Sequence, residues 1–188
     1  MKQSKLFGSD EVQVCNKIPL DIARALSEQV LTHVSKCLNP CEVVGSIRRS
    51  KPYCKDIDIV GVGSLEDAVK ALCKHFKVEF KVKGPKVTKL YIETELGKVQ
   101  IDLYCATPQT FGIHKLIRTG SAEHNMWLAS YAIKNGFRLK YSEGLLKDRV
   151  VVAGKTEAGV FEALGLECPE PEKREIVEGK PLWFLART

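Results

Sequence analysis

Apolar residues recur at helical spacing through Leu20, Ala23, Leu26, Val30, Leu31 and Val34, one face of a helix that Ile18-Pro19 opens and Asn39-Pro40 ends. From Cys41 the pattern changes. Cys41 to Gly45 reads as a short strand, Ser46 to Lys55 as a Gly-Ser turn running into a basic loop, and Asp56 to Val62 as an alternating strand. Gly63 breaks that strand. Ser64 then caps a helix reaching about Phe76, with Asp67 in place for a capping box. Strands are predicted at Val78 to Val82, Val87 to Glu95 and Lys98 to Cys105, the last two joined by a turn at Leu96-Gly97.

The character shifts after Ala106. Thr107-Pro108 offers a capping hydroxyl and a first-turn proline, and two short helices follow around 109–117 and 121–135, parted by Thr119-Gly120 and closed by Gly136. Phe137 to Tyr141 and Leu145 to Val152 predict a hairpin about Ser142-Glu143-Gly144, and Thr156 caps one more helix to about Leu164. A proline-rich acidic-basic stretch, Cys168 to Glu175, and an apolar tail, Pro181 to Leu185, complete the pattern. Residues 1–16 show no clear period and read as a loose arm or an edge strand. The chain thus divides near 106 into a sheet-based domain, 1–106, and a helical and hairpin subdomain, 107–188.

Composition bounds the function without choosing it. The 188 residues are 44% hydrophobic, enough for a real core in one domain or a domain with a small appendage. No apolar run approaches the roughly 20 residues of a membrane span. Met1 to Asp10 is polar and lacks an apolar signal core, so the expectation is an intracellular protein. The net charge of +6 fits either a solvated basic surface or a phosphate-rich partner. The seven cysteines are scattered, without a CxxC pair; His33, Cys37 and Cys41, with Cys54 as a fourth, are the nearest approach to a zinc set.

The chemistry lies in three places. Side chains alternate along a strand, so Asp56 and Asp58 share a face while Ile57 and Ile59 take the other. Two adjacent carboxylates repel, and a magnesium ion is their natural compensation; a solvent-facing pair on an edge strand is the alternative. Asp102 stands in a later strand among the apolar residues Ile101 and Leu103. If its strand adjoins the first, three carboxylates meet on one face and can hold two metal ions roughly 3.5–4 Å apart, the arrangement for in-line phosphoryl transfer. Finally, Gly45-Ser46-Ile47-Arg48-Arg49 supplies a close-approach glycine, a hydroxyl and guanidinium forks, all suited to phosphate, though a short basic loop reads equally as solvated surface.

Taken in order, Gly-Ser, paired aspartates and a single strand aspartate resemble the nucleotidyltransferase superfamily that includes DNA polymerase β. Thr119-Gly120-Ser121 with Asn125, the segment Tyr141-Ser142-Glu143-Gly144-Leu145-Leu146, and Leu164 to Glu175 with its Pro-Glu-Pro-Glu-Lys-Arg-Glu ending are similar to family X polymerases, so the resemblance covers roughly residues 17–175. It implies an α+β fold: a nucleotidyltransferase palm, with a mixed sheet and helices on one face, plus a small C-terminal subdomain. It also implies a DNA-directed DNA polymerase filling short gaps in repair. Asp56 and Asp58 would hold two Mg2+ ions, for which Mn2+ can substitute, and Asp102 the catalytic one. Gly45, Ser46 and Arg49 would bind the β and γ phosphates, Gly120 would lie in the segment that frames the sugar and base, Asn125 would reach the base edge, and Arg118 stands among the nucleotide-binding candidates, to pair with phosphate or point away. The expected partners are gapped or primer-template DNA and deoxynucleoside triphosphates, with the protein a monomer away from membranes. Lys81, Lys83, Lys86, Lys89, Lys134, Arg138 and Lys140 are the candidate basic contacts to DNA.

The chain looks like the stripped palm-plus-C-terminal form, similar to the short virus-encoded family X polymerase. It departs from the family at Arg118, where an aromatic residue is usual, at Ala129, where many members carry an arginine, and at Gln100, where a palm arginine is common. Arg118 and Ala129 favour an alternative, terminal addition of nucleotides without a template, ribonucleotides included. Further alternatives are a catalytically silent nucleic-acid-binding module and a small nucleotidyltransferase acting on RNA or protein.

Overall fold

The computed structural model describes residues 13–177 and 179–185. Its first half runs β1 (Ile18–Pro19), α1 (Leu20–Val34), β2 (Leu38–Val43), α2 (Gly45–Arg48), β3 (Tyr53–Cys54), β4 (Asp56–Gly63), α3 (Leu65–Leu72), β5 (Val78–Val82), β6 (Val87–Thr94) and β7 (Gly97–Ala106). Five strands form a mixed sheet in the order β2-β4-β7-β6-β5, in which β4 and β7 are parallel and every other neighbour antiparallel. The alternation of β4 and β7 decides which face is dry. Ile57, Ile59, Val99, Ile101 and Leu103 are fully buried with Leu90 and Ile92 of β6. Against them pack Ala23, Leu26, Val30 and Val34 of α1 and Leu65, Ala68, Val69 and Leu72 of α3. Burying each large apolar side chain contributes about 1.5–3 kcal/mol, so this face anchors the sheet. The opposite face of the same strands carries Asp56, Asp58, Gln100, Asp102 and Tyr104.

The second half runs α4 (Phe111–Thr119), α5 (Ala122–Lys134), β8 (Phe137–Lys140), β9 (Gly144–Lys147), β10 (Val150–Ala153), α6 (Glu157–Ala163), a 3-10 turn Pro171–Lys173, β11 (Ile176–Val177), β12 (Lys180–Pro181) and α7 (Leu182–Leu185). It has its own core, centred on Ile113, Leu116, Leu128, Leu145, Val160, Phe161 and Trp183, with Trp127 packed at its margin. A small third cluster, Val44, Val60, Tyr104 and Ala106 with Phe111, seats the start of α4 on the polar face of the sheet beyond the aspartates. The architecture is the α+β arrangement expected, a mixed sheet with α1 and α3 on one face and a helical and hairpin second half. Among the described residues no helix is long and apolar enough to cross a membrane.

Local details differ from the sequence pattern. Asn39-Pro40 lies inside β2, after α1 has already ended at Val34; β2 is an edge strand, where a proline lacking its N–H is tolerated. Gly45–Arg48 winds into a helical turn instead of remaining a loop. Thr107-Pro108 forms a turn closed by Thr107 N donating to Thr110 Oγ1 at 3.0 Å, so the helix begins later, at Phe111. The predicted single strand from Leu145 to Val152 is two strands, β9 and β10, turning at Asp148 and Arg149, both in the left-handed region (φ 49° and 67°). Of residues 1–16, positions 13–16 are described: Val14 bridges Lys98 in parallel, adding a short edge to β7; the rest of that stretch lies outside the described residues.

Candidate active site

The sheet register builds the centre of the site. Asp58 of β4 lies directly across from Asp102 of β7, which lies across from Lys89 of β6. Asp56 lies across from Gln100. Residues paired this way share a face, so the three aspartates, Gln100 and Lys89 meet on the polar side of the sheet. Tyr104 closes the group: its hydroxyl lies 3.0 Å from Asp102 Oδ2 and 3.4 Å from Asp58 Oδ1. Gln100 Nε2 donates to Asp102 Oδ1 at 2.8 Å while its Oε1 accepts from Lys81 Nζ at 3.2 Å. The Lys89 ammonium bonds Asp102 Oδ2. Lys81 and Lys89, candidate DNA contacts in the sequence, are thus turned toward the acids, and Gln100 positions Asp102.

Burial lifts the Asp58 carboxyl to about 7, and the charges of Asp56 and Asp102 push the same way. Asp56 is raised too, first by burial and then by Asp102. A carboxyl whose folded pKa exceeds its unfolded value stabilises the fold below the unfolded value, and that contribution is lost as pH rises through the folded one. In chelator, the thermal midpoint therefore falls between the unperturbed 3.8 and about 7, and Asp58→Asn flattens the fall. Melting curves across that window check this; identical slopes for the two chains would contradict it.

The phosphate-type segment sits beside Asp58. Gly45 adopts φ +66°, and a Cβ there would collide with Asp58 Oδ2, so only glycine allows the approach. Ser46 follows at the start of α2. Arg49 donates through Nη1 to the Thr119 carbonyl, and its Nε lies 3.4 Å from Glu175 Oε1, which Lys51 Nζ also meets at 2.7 Å. Gly120 passes close to Arg49, where a Cβ would meet Nη1 at 3.1 Å. Arg118 stacks on the Tyr104 ring at 3.9 Å. Asn125 Nδ2 donates to Ile117 O at 2.7 Å, and its buried Oδ1 has no hydrogen-bond partner within normal distance among the described residues.

These side chains line one cleft of about 450 Å³: Gly45, Ser46, Arg49, Asp56, Asp58, Arg118, Gly120 and Asn125, joined by Lys51, Tyr53 and Lys55. Asp102 alone of the predicted site residues stands behind it, 1% exposed. Among the described residues no three His, Cys, Asp or Glu side chains are gathered closely enough to hold a metal ion as they stand, and Lys89 holds Asp102. The donor chemistry of Asp56 and Asp58 nonetheless fits magnesium. They are hard oxygen donors, neither forms an ion pair among the described residues, and burial disfavours their charge until a cation compensates it.

One element escaped the sequence reading. Glu157, at the first position of α6, accepts from Arg48 at 2.8 and 2.5 Å and from Arg174 at 2.7 Å, and Arg48 also reaches Thr119 Oγ1 at 2.7 Å. Arg174 is 1% exposed. Burial pulls the Glu157 carboxyl upward, but the bonds and charges of Arg48 and Arg174 overcome it and hold it below the usual glutamate range. This network ties α2, next to the aspartates, to the C-terminal half. Arg48 sits in a loop pattern and Glu157 in a first-turn position that ordinarily faces water, so neither signalled burial.

Other singled-out residues stand apart from the cleft. His124 is fully buried against Phe161 and Trp183, and burial lowers it to about 4. His114 packs edge-on against Tyr141. His33 stacks on His75, Cys54 is buried, and all seven cysteines are free thiols. Lys140 pairs with Glu143, Lys83 lies over the Phe80 ring, and Arg138 shares a polar groove with Lys140 and Arg149.

With this geometry in place, comparison with known proteins adds a second line. Residues 115–175 match the family model of the DNA polymerase beta thumb. Over 77 residues, 41% of this chain, the sequence is 32% identical to DNA polymerase IV of Saccharomyces cerevisiae; the stretch spans 13% of that protein's length. The matched family segment contains Arg118, Gly120, Asn125, Glu157 and Arg174, while the three aspartates precede it.

Proposed function

We propose that this chain is a family X-type nucleotidyltransferase that adds deoxynucleotides to a primer 3′-hydroxyl opposite a template base in short DNA gaps. The observation that carries the proposal is the register pairing of Asp58 with Asp102, beside Asp56, at the edge of a cleft lined by Arg49, Gly120 and Asn125. Likeness to the polymerase beta thumb supports it from the other side of the cleft.

Magnesium is the group these carboxylates suit: Asp56 and Asp58 would hold both ions and Asp102 the catalytic one, and the chemistry it would supply there is neutralisation of phosphate charge and activation of the hydroxyl. Arg49 and Ser46 would grip the β and γ phosphates, with Gly45 letting the backbone come close. The 3′-oxygen attacks the α-phosphorus, its proton passes toward Asp102, the α–β bridging bond breaks, and pyrophosphate leaves. Asn125, which lines the cleft, would meet the base edge. The work of the protein is positioning and electrostatic preorganisation.

Arg49→Ala tests the triphosphate assignment. The variant should raise the KM for nucleotide about tenfold or more with a smaller change in kcat, because a charge-assisted fork to phosphate is lost. Steady-state kinetics read this directly, and an unchanged KM would remove Arg49 from the phosphate site.

A second reading, addition without a template, has two observations behind it. Arg118 is spent on Tyr104, and Ala129, which lines the cavity beyond Asn125 together with Met126 and Lys140, has no guanidinium to press on a template base. Extension of a bare single strand distinguishes the two readings.

A further inference from the structure

Asp102 is satisfied entirely from within the chain. Gln100 occupies Oδ1 at 2.8 Å, and Oδ2 takes both the Tyr104 hydroxyl at 3.0 Å and the Lys89 ammonium. Among the described residues Asp56 and Asp58 form no ion pair, although the Lys89 charge reaches them both. Lys89 faces Asp102 across the β6–β7 pair, and its side chain is 32% exposed where that of Asp102 is 2%. A lysine on that face would ordinarily extend into water. Here it bends onto the most buried carboxylate of the site, because an uncompensated charge there is costly.

We propose that Lys89 is an exchangeable counter-cation of Asp102: it holds the carboxylate when no metal is present, competes with divalent metal for Oδ2, and so sets the metal affinity of the site. The proposal rests on the magnesium reading above. An ammonium and a divalent ion on one oxygen repel strongly at such separation. The flexible four-carbon stem and the open side of Lys89 give it a way out into solvent. Gln100 is itself held by Lys81, so Oδ1 stays engaged and the exchange is confined to Oδ2. Lys89 is a positioning residue in this account, acting on metal through Asp102.

The test uses the full chain. Mn2+ is titrated into the native protein, Lys89→Met, Lys89→Gln and Lys89→Arg, free ion being counted by electron paramagnetic resonance, and the thermal midpoint of each is read in EDTA and in Mn2+. Lys89→Met and Lys89→Gln should bind Mn2+ roughly tenfold tighter or more, the equivalent of one charge-assisted bond no longer displaced. Their midpoints in EDTA should fall, with Mn2+ restoring them. Lys89→Arg should keep the native, weaker affinity. Equal or weaker Mn2+ binding in Lys89→Met and Lys89→Gln overturns the exchange while leaving the metal site intact. Absence of Mn2+ binding in every chain overturns the metal reading together with it.

Discussion

Replacing Asp102 by Ala should lower the rate of nucleotide addition by at least about 10³-fold, the scale of a lost electrostatic element at a phosphoryl-transfer centre. The fold should survive. Asp102 is held by Gln100, Tyr104 and Lys89, and of these Lys89 is exposed enough to turn into water while Gln100 keeps Lys81. The loss should fall on kcat with little effect on KM, since Asp102 lies behind the cleft that lines the nucleotide site. Single-turnover kinetics with a circular dichroism melt separate the two effects. Near-native turnover would remove Asp102 from the chemistry, and collapse of the melt would make it a structural residue.

Glu157→Ala should destabilise the chain by about 3–5 kcal/mol, because Arg48 and Arg174 remain in place with their shared carboxylate gone. Few single changes on this surface-poor joint reach that size. The reason is burial: Arg174 is among the largest fully buried side chains described, and without Glu157 it keeps the Pro169 carbonyl, the Cys168 thiol and the Phe161 ring but no anion among the described residues to balance its charge. Replacing all three residues together, Arg48→Met, Glu157→Leu and Arg174→Met, should recover most of the loss, since no charge is then stranded. Urea midpoints at fixed pH test both halves. A loss under about 1 kcal/mol for Glu157→Ala would mean that water reaches the guanidinium groups and that the network contributes little.

Much of the site was legible because strands repeat every second residue. Asp56-Ile57-Asp58 and Ile101-Asp102-Leu103 each announce which side chains share a face, and the apolar partners Ile57, Ile101 and Leu103 are indeed fully buried. Periodicity alone does not give register, so the sequence leaves the pairing of Asp58 with Asp102 to resemblance, and the β4–β7 register supplies it. Lys89 shows the limit more sharply. It lies in a basic stretch that suggests contact with nucleic acid, and only the β6–β7 register turns it onto Asp102. Glu157 reads as an ordinary first-turn acid placed for the helix dipole, and its burial follows from a contact with residues 109 positions earlier in the chain. The turn at Asp148-Arg149 is hidden in the sequence for a different reason. Left-handed backbone there carries none of the glycine or asparagine that normally marks it.

The most direct test of the account is extension of a labelled primer at a one-nucleotide gap with magnesium, each of the four deoxynucleoside triphosphates supplied in turn, alongside Asp58→Ala and a bare single-stranded primer. The account predicts one addition that follows the template base, disappears with Asp58→Ala and does not occur on the single strand. Addition that ignores the template base, or that persists in Asp58→Ala, would contradict it.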